Sequence, residues 1–286
     1  MSEKVIGIIG GSGLYEMEGM TDIQEVSVDT PFGSPSDNLI TGKLGDTKMV
    51  FLSRHSRGHK LLPSEINFRA NIYAMKKLGV EHIISVSAVG SMKEEIVPGD
   101  MVMPDQYIDR TKNRISTFFG NGLVGHVQFA DPVCFDLHTA VYDAAVSEGI
   151  KSHKGGTYVC MEGPAFSTRA ESNTYRSWGV SVIGMTNLPE AKLAREAEIC
   201  YAPIALATDY DCWYEEEADV SVDAILEIIK KNVANAKKII RAVVDKIPAE
   251  RSCSCKDALK FAIMTDTSTV PEETRKSLDL IVGKYL

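Results

Sequence analysis

A glycine-rich turn near the N-terminus is the first group of residues that could do chemistry. Residues 10–13 read Gly-Gly-Ser-Gly and follow an apolar segment that predicts a strand at residues 5–9. Backbone N–H groups in such a turn, together with the Ser12 hydroxyl, can bind an anion. The dinucleotide-binding fingerprint would need a third glycine where Glu16 stands, so the turn is equally consistent with a purely structural role.

A second predicted strand, at residues 49–52, is followed by two basic side chains that could belong to a site. Arg54 offers a planar fork of N–H donors that suits phosphate oxygens, and His55 adds a donor whose charge can rise near neutral pH. Open α/β sheets place their ligands at the carboxyl ends of the strands, where both residues are expected. A solvated basic loop is the alternative interpretation of this segment.

A third predicted strand, at residues 82–86, runs into Ser87 and Ala88, small residues that allow backbone amides to approach a ligand closely. Three strand ends that carry small, hydroxyl and basic groups together predict an oxyanion pocket. The six histidines and the cysteines match no common metal-ligand spacing, so we expect no metal site. A G-x-S-x-G nucleophile motif is also absent from the sequence.

The composition narrows the class of protein. Of the 286 residues, 44 % are apolar and 24 % are charged, which is typical of a globular chain with a sizeable core. The net charge of −8 would repel a phosphate backbone, so we expect no nucleic-acid partner. No apolar run approaches the ~18 residues of a membrane helix, and the N-terminus lacks a signal-peptide pattern. We therefore expect a cytoplasmic protein with no membrane partner.

The elements that must position these residues alternate along the chain. Short β-branched runs predict strands and longer amphipathic runs predict helices, which is the pattern of an α/β fold with a mostly parallel, buried sheet. We expect one body at residues 1–247 and a more polar extension at residues 248–286 that packs on the body or on a neighbouring subunit. The remaining predicted strands are residues 101–103, 158–161, 181–184 and 204–207, and the predicted helices are residues 64–78, 135–148, 168–178, 189–198 and 221–246.

Five segments, taken in order, carry a family resemblance. They read GIIGGSGL, DTPFGSPSD, EGPAFSTRAES, GMTNLPEAKLA and ATDYDCW. Their combination resembles the purine nucleoside phosphorylase family, and within it the branch of S-methyl-5'-thioadenosine phosphorylases, from about residue 5 to about residue 246. The resemblance implies a homotrimeric α/β enzyme whose single nucleoside phosphorylase domain, residues 1–247 here, has a central mixed β-sheet flanked by helices. It also implies cleavage of an N-glycosidic bond by inorganic phosphate, a co-substrate, with no cofactor.

The resemblance also implies roles for particular residues. Met185 would contact the ribose and Phe166 would stack on the purine. His126 and Val222 would border the 5' substituent and, with Ser167, would determine substrate specificity. The phosphate ligands would be Ser12, Arg54, His55, Ser87, the Ala88 amide and Thr186.

The implied chemistry explains why a carboxyl group would face the base. Breaking the C1'–N9 bond builds positive charge on the sugar and negative charge on the leaving purine. The barrier therefore falls when phosphate is fixed beneath C1' and the purine is protonated. Asp209 would do the second task, since a carboxyl shielded from water can hold a proton, and Asp211 would support the adenine edge. Asp209 and His55 are the expected catalytic residues, and an asparagine in place of Asp209 would suit a 6-oxopurine.

The 5' end of the substrate can be interpreted in the same way. Relatives that act on ordinary nucleosides resemble this chain but carry a histidine where Val222 stands, and Ile225 and Leu226 extend the apolar surface. An apolar pocket suits a methylthio group. The expected reaction is therefore phosphorolysis of S-methyl-5'-thioadenosine in methionine and purine salvage. A 6-oxopurine or S-methyl-5'-thioinosine phosphorylase and a non-catalytic nucleotide-binding module are the alternatives.

Six cysteines are too few for a disulfide scaffold in a chain of this length. Cys134 and Cys200 lie in apolar or mixed segments where a buried thiol is the ordinary expectation. Cys253 and Cys255 form a C-x-C in the extension. Some related enzymes from thermophiles are similar here and form a disulfide, with Cys134 and Cys200 as possible further partners. Reduced thiols in a reducing cytoplasm are the alternative.

Overall fold

A single mixed sheet runs through the middle of the molecule, which confirms the predicted fold class. The computed structural model describes residues 4–11, 13–14, 16–214 and 222–286, apart from the side chains of residues 222–226. Within these residues, eleven strands form the sheet. They are β1 (Val5–Gly10), β2 (Met20–Val26), β3 (Leu39–Leu44), β4 (Thr47–Ser53), β5 (His82–Ser91), β6 (Met101–Met103), β7 (Gln106–Arg110), β8 (Ser152–Lys154), β9 (Thr157–Met161), β10 (Val182–Gly184) and β11 (Cys200–Tyr210).

The strand order brings the predicted site segments together. The order along the sheet is β2-β3-β4-β1-β5-β10-β9-β7, while β11 pairs with β5 and β6, and β8 pairs with β6. β1 is parallel to both β4 and β5, and β11 is parallel to β5. The carboxyl ends of these four strands therefore meet at one edge of the sheet. The antiparallel pairs β2–β3, β3–β4 and β5–β10 make the sheet mixed.

Six α-helices among the described residues flank the sheet. Side chains of β1 alternate between the two faces, so that Ile6 and Ile8 pack in one core and Val5 and Ile9 in the other. The first helix begins later than predicted, because the Asn67 side chain accepts the Ala70 N–H at 3.1 Å and caps it there. The helices are α1 (Phe68–Lys77), α2 (Phe135–Ser147), α3 (Arg169–Ser177), α4 (Asn187–Glu196), α5 (Val222–Val244) and α6 (Glu272–Val282).

A β-bulge lies near the end of β11. The register with β5 pairs Ala207 with Val89 and then Asp209 with Gly90, so that Thr208 is an extra residue. A bulge bends its strand and changes the direction of the side chains that follow. It therefore decides where the Asp209 carboxyl points.

The extension at residues 248–286 packs on the body of its own chain. Leu259, Ala262, Leu278 and Ile281 are buried in the core cluster that also holds residues of α1. Helix α6, which the sequence did not predict, contacts α1. No helix in the described part of the chain is long and apolar enough to cross a membrane.

Candidate active site

A cavity of about 690 Å³ opens at the edge where β1, β4, β5 and β11 end. Its wall includes Gly11 and Gly13 of the glycine turn, which follows β1. The cavity thus joins the three segments from which the sequence predicted an oxyanion pocket. Nine of the predicted site residues line it: Arg54, His55, Ser87, Ala88, Phe166, Met185, Thr186, Asp209 and Asp211.

Four predicted site residues are not part of this wall as described. Ser12 lies outside the described residues, and Val222 begins α5 with a side chain that is not described. The Ser167 hydroxyl lies 3.5 Å from the Met161 sulfur and does not line the cavity. His126 is exposed in a loop whose backbone pairs with the extension, and it does not reach the cavity of its own chain.

Arg54 is buried and is held by an acid that the sequence did not single out. Its Nε donates to Glu190 Oε2 at 2.7 Å, and its Nη2 donates to Glu190 Oε1 at 3.0 Å. The Nη2 group also donates to Ser85 Oγ, and Nη1 donates to the Val86 carbonyl at 3.0 Å. Because a guanidinium has five N–H donors, one Nη1 hydrogen is left for a ligand in the cavity. Arg54 therefore presents one donor to the cavity, while its planar fork binds Glu190.

The pair keeps Arg54 charged inside the protein. Burial alone would lower the pKa of Arg54, but the charge and hydrogen bonds of Glu190 outweigh burial and raise it. Glu190 is itself fully buried and accepts further hydrogen bonds from Ser85 Oγ at 2.6 Å and from the Tyr201 hydroxyl at 2.9 Å. Glu190 lies in the segment GMTNLPEAKLA, one of the five that carry the family resemblance. Because a buried arginine requires an acidic partner, this glutamate could have been identified as a candidate.

His55 is oriented by a backbone carbonyl. Its Nδ1 lies 2.8 Å from the Leu61 carbonyl oxygen, and because a carbonyl only accepts, Nδ1 carries the hydrogen. Burial lowers the pKa of His55, and repulsion from Arg54 and His59 adds to this effect, although the bond to Leu61 opposes it. The ring is therefore less often charged near neutral pH than the sequence led us to expect. In the neutral ring, Nε2 is an acceptor that can take a hydrogen bond from a protonated phosphate oxygen.

Two hydroxyl-bearing residues, Ser87 and Thr186, line the cavity and differ in whether their hydroxyl is already engaged in a hydrogen bond. Thr186 Oγ1 is buried and has no hydrogen-bond partner among the described residues. Ser87 Oγ donates to Asn187 Oδ1 at 3.0 Å, and Asn187 in turn donates to the Tyr201 hydroxyl at 3.0 Å. Thr186 is thus free to donate to an anion, whereas Ser87 must rotate away from Asn187 to do so.

Met185 is held in place by close contacts on two sides. A side chain at Gly163, where φ is +69°, would place its Cβ 2.6 Å from the Met185 sulfur, so only glycine fits. Arg114 Nη1 donates to the carbonyls of Met185 at 2.6 Å and Leu188 at 2.8 Å. Phe166 differs, because its ring lies at the cavity rim and is 82 % exposed.

A carboxyl pair, Asp209 and Asp211, also lines the cavity beside Gly90 of β5. The pKa of Asp209 is raised, first by burial and then by the negative charge of Asp211, while a 2.6 Å hydrogen bond from Thr208 Oγ1 opposes the shift. Asp209 can therefore hold a proton more readily than an exposed carboxyl. Two apolar residues of α5, Ile229 and Val233, line the wall as well.

Comparison with known proteins identifies the family. Residues 5–245, most of the chain, match the sequence model of one family. The chain belongs to the phosphorylase superfamily. Within this superfamily, S-methyl-5'-thioadenosine phosphorylase of Geobacter sulfurreducens is 67 % identical over 99 % of this chain and 100 % of its own length. The resemblance found in the sequence is confirmed.

Solved phosphorylase structures share the fold. A methylthioadenosine phosphorylase sourced from an Antarctic soil metagenomic library matches with a TM-score of 0.94 and 48 % identity, over 98 % of this chain and 99 % of that chain. Methylthioadenosine phosphorylase from Schistosoma mansoni, in complex with adenine, matches with a TM-score of 0.82 and 39 % identity, over 90 % of this chain and 96 % of that chain.

A group of metal-ligating side chains lies outside the phosphorylase cavity. Within the described residues, the group of His, Cys, Asp or Glu side chains close enough to hold a metal ion is Cys134, Cys200, Cys253 and Cys255. The sequence predicted no metal site, because these cysteines follow no familiar spacing.

Proposed function

We propose that this chain catalyses the phosphorolysis of S-methyl-5'-thioadenosine to adenine and 5-methylthio-α-D-ribose 1-phosphate, a pentosyl transfer in methionine and purine salvage. The observation that carries the proposal is that one cavity is bordered by buried, charged Arg54 and by Asp209, whose carboxyl has a raised pKa. The names of the similar proteins support the choice of substrate.

Phosphate would occupy the end of the cavity beside the glycine turn. It can accept hydrogen bonds from the remaining Nη1–H of Arg54 and from the unpartnered Thr186 hydroxyl, and a protonated phosphate oxygen can donate a hydrogen bond to His55 Nε2. The Ala88 amide and, after rotation, the Ser87 hydroxyl would complete the set. Fixing the nucleophile beneath C1' removes much of the entropic cost of bringing two reactants together, an effect worth up to about 7–11 kcal/mol in well-oriented systems.

The base would lie against the opposite end of the cavity. Protonated Asp209 can donate to N7 of the leaving adenine and later accept from its 6-amino group, while Asp211 beside it favours an amino group over a 6-oxo group. Phe166, exposed at the rim, would be covered when a purine stacks on it. Met185 would contact the ribose between the two ends.

The 5' substituent would meet apolar side chains. Ile229 and Val233 of α5 line the cavity together with Leu14 and Leu206. Such a surface favours a methylthio group over a hydroxyl, at about 0.8 kcal/mol for each buried methyl or methylene. The role proposed for Val222 at the start of α5 rests on the sequence alone.

We also propose the homotrimer, the cytoplasmic location and the absence of a cofactor that the family resemblance implies, with no nucleic-acid or membrane partner.

His126 does not reach the cavity of its own chain, so its contact with a 5' substituent requires a cavity in a neighbouring subunit. Multi-angle light scattering of the purified protein tests the trimer, and a monomeric mass would contradict it.

Base release from four nucleosides, with and without phosphate, tests the proposed reaction. The substrates are S-methyl-5'-thioadenosine, S-methyl-5'-thioinosine, adenosine and inosine. We expect the first to be cleaved fastest and only with phosphate. Fastest cleavage of an inosine would indicate an oxopurine enzyme, and tight binding of NAD without any product would indicate a non-catalytic module.

A further inference from the structure

Four cysteine thiols meet where the extension joins the body. The Sγ atoms of Cys134, Cys200, Cys253 and Cys255 all lie within 4.8 Å of one another. The Cys200 and Cys253 sulfurs are 3.3 Å apart, and all four thiols are free. Cys253 is half-buried and the other three are buried. None of the four lines the phosphorylase cavity, so the cluster plays no part in the proposed reaction.

The distances fit a tetrahedral metal site. A disulfide needs two sulfurs at about 2.05 Å, much closer than the 3.3 Å pair. Four thiolates around a zinc ion, with Zn–S bonds of about 2.3 Å, place their sulfurs about 3.8 Å apart. The observed cluster lies in this range, so a zinc ion needs only small side-chain adjustments.

The four thiols come from three separate parts of the fold. Cys134 is the N-cap residue of α2, but its side chain caps no backbone N–H, and a helix N-terminus stabilises a thiolate. Cys200 is the first residue of β11, and its backbone N–H donates to the Glu81 carbonyl at 2.9 Å. Cys253 and Cys255 flank and enter the 3₁₀ turn Ser254–Asp257. The two cysteines of the body, Cys134 and Cys200, are therefore fixed by a helix and a strand, while the C-x-C supplies two cysteines from the extension.

We propose that these four cysteines bind a structural zinc ion that fastens the extension to the body. Soft thiolate ligands in a tetrahedral set select zinc among the common divalent ions. Four protein ligands leave no open position for water or substrate, which is typical of structural rather than catalytic zinc. On binding, each thiol releases one proton and each sulfur shares an electron pair with Zn²⁺, so no oxidant or reductant is needed.

By holding the extension in place, the ion would also stabilise the loop that carries His126, a proposed specificity residue. The extension pairs with the loop of His126 through a backbone hydrogen bond from the His126 N–H to Ala262 at 2.8 Å and a bridge between Gly125 and Ile263. Loss of the ion should therefore loosen residues 248–286 and, with them, this loop.

Metal analysis of the full-length protein tests the proposal. The protein is expressed with zinc in the medium, without a polyhistidine tag, and purified under reducing conditions without chelators. We expect about one zinc ion per chain by elemental mass spectrometry. Replacement by Co²⁺ should give the thiolate charge-transfer and visible bands of tetrahedral cobalt. Removal by a chelator should lower the thermal midpoint and speed hydrogen exchange in residues 248–286, and added Zn²⁺ should reverse both effects.

Single substitutions test the ligands. Cys134→Ser and Cys255→Ser should each reduce bound zinc at least about tenfold, because one lost thiolate opens a closed site. Cys212→Ser is the matched control, since this thiol lies outside the cluster and donates to the Ser167 carbonyl, and it should retain the ion. If a cluster variant fails to fold, the zinc content, the cobalt spectrum and the chelator response of the wild-type protein still test the proposal.

Two results would overturn the proposal. One is a protein in which all six cysteines react as thiols under denaturing conditions but which binds no zinc after incubation with Zn²⁺ and gel filtration. The other is a protein, purified without reductant, in which only two of the six cysteines react under denaturing conditions and whose mass is that of two disulfides.

Discussion

Arg54 and Glu190 form a two-point ion pair that is closed off from solvent. The Nε–Oε2 distance is 2.7 Å and the Nη2–Oε1 distance is 3.0 Å, and the exposed fractions of the two side chains are 2 % and 1 %. The residues lie 136 positions apart in the sequence. The pair links the residue that follows β4 to α4, so it orders the proposed phosphate subsite from two sides.

Breaking this pair should destabilise the protein strongly. Arg54→Met and Glu190→Leu should each lower the free energy of unfolding by about 3–5 kcal/mol, because each leaves a buried charge without its partner. The double variant should lose less than the sum of the two, and it should remain inactive for lack of the Arg54 donor. Urea unfolding of the three proteins measures this. The control is Arg57→Met, which removes a partly exposed arginine that pairs with Glu25 and Asp37 near the surface and should cost far less. Additive losses would contradict the assigned coupling.

His55 should act on phosphate through Nε2 alone. In His55→Asn the amide nitrogen replaces Nδ1 and can still donate to the Leu61 carbonyl, but nothing replaces Nε2. We expect the KM for phosphate to rise about 10- to 100-fold, the loss of one hydrogen bond to a charged group, with little change in thermal midpoint. His55→Gln, which replaces Nε2 and not Nδ1, should keep more of the phosphate affinity. The opposite order in steady-state kinetics would show that Nδ1 is the working atom.

Asp209→Asn should separate the two classes of purine. We expect turnover of S-methyl-5'-thioadenosine to fall about 10²–10⁴-fold, because an amide cannot give a proton to the leaving base. Turnover of inosine should fall much less, since the amide nitrogen can donate to a 6-oxo group. Equal losses for the two substrates would remove the proposed role of Asp209.

The same substitution should stabilise the protein. The raised pKa of Asp209 means that its contribution to stability is present at acid pH and is lost as the pH rises through the folded-state pKa. An amide carries no such dependence. The thermal midpoint of Asp209→Asn should therefore exceed that of the wild type at mildly alkaline pH, and the difference should shrink at acid pH. A difference that does not depend on pH would contradict the raised pKa.

Glu196, which does not line the cavity, should make the free energy of unfolding depend on pH. Burial raises its pKa to about 7, although its oxygens accept from the Phe118 N–H at 2.6 Å and from Thr117 Oγ1 at 2.7 Å. Stability from its bound proton is present at acid pH and lost as the pH rises through about 7. Glu196→Gln should reduce the loss of stability between about pH 5 and about pH 8, by up to about 3 kcal/mol. Unfolding free energies at several pH values measure this, and parallel curves for variant and wild type would be the contrary result.

The sequence predicted the buried strands that carry the cavity and missed β2, β3, β7 and β8. Continuous apolar runs mark β1 and β4, whereas β2 exposes most of its residues and has no apolar face to detect. Helix α6 was missed because the extension is mostly polar. The later start of the helix predicted at residues 64–78 depends on the cap at Asn67, which periodicity does not report.

Contacts between residues that lie far apart in the chain could not be predicted from the sequence for a different reason. Arg54 was predicted as a phosphate ligand because its type and strand end are local features, but its pairing with Glu190 depends on how the end of β4 packs against α4. The cysteine cluster is similar, since Cys134, Cys200 and the C-x-C at Cys253 lie far apart in the chain and meet only in the folded molecule.

The most direct measurement is product analysis of S-methyl-5'-thioadenosine cleavage with and without phosphate. Phosphorus NMR should show 5-methylthioribose 1-phosphate forming in step with adenine, and adenine release should stop when phosphate is removed. Release of adenine and free 5-methylthioribose without phosphate would show that water is the nucleophile and would contradict the phosphate subsite built around Arg54, His55 and Thr186.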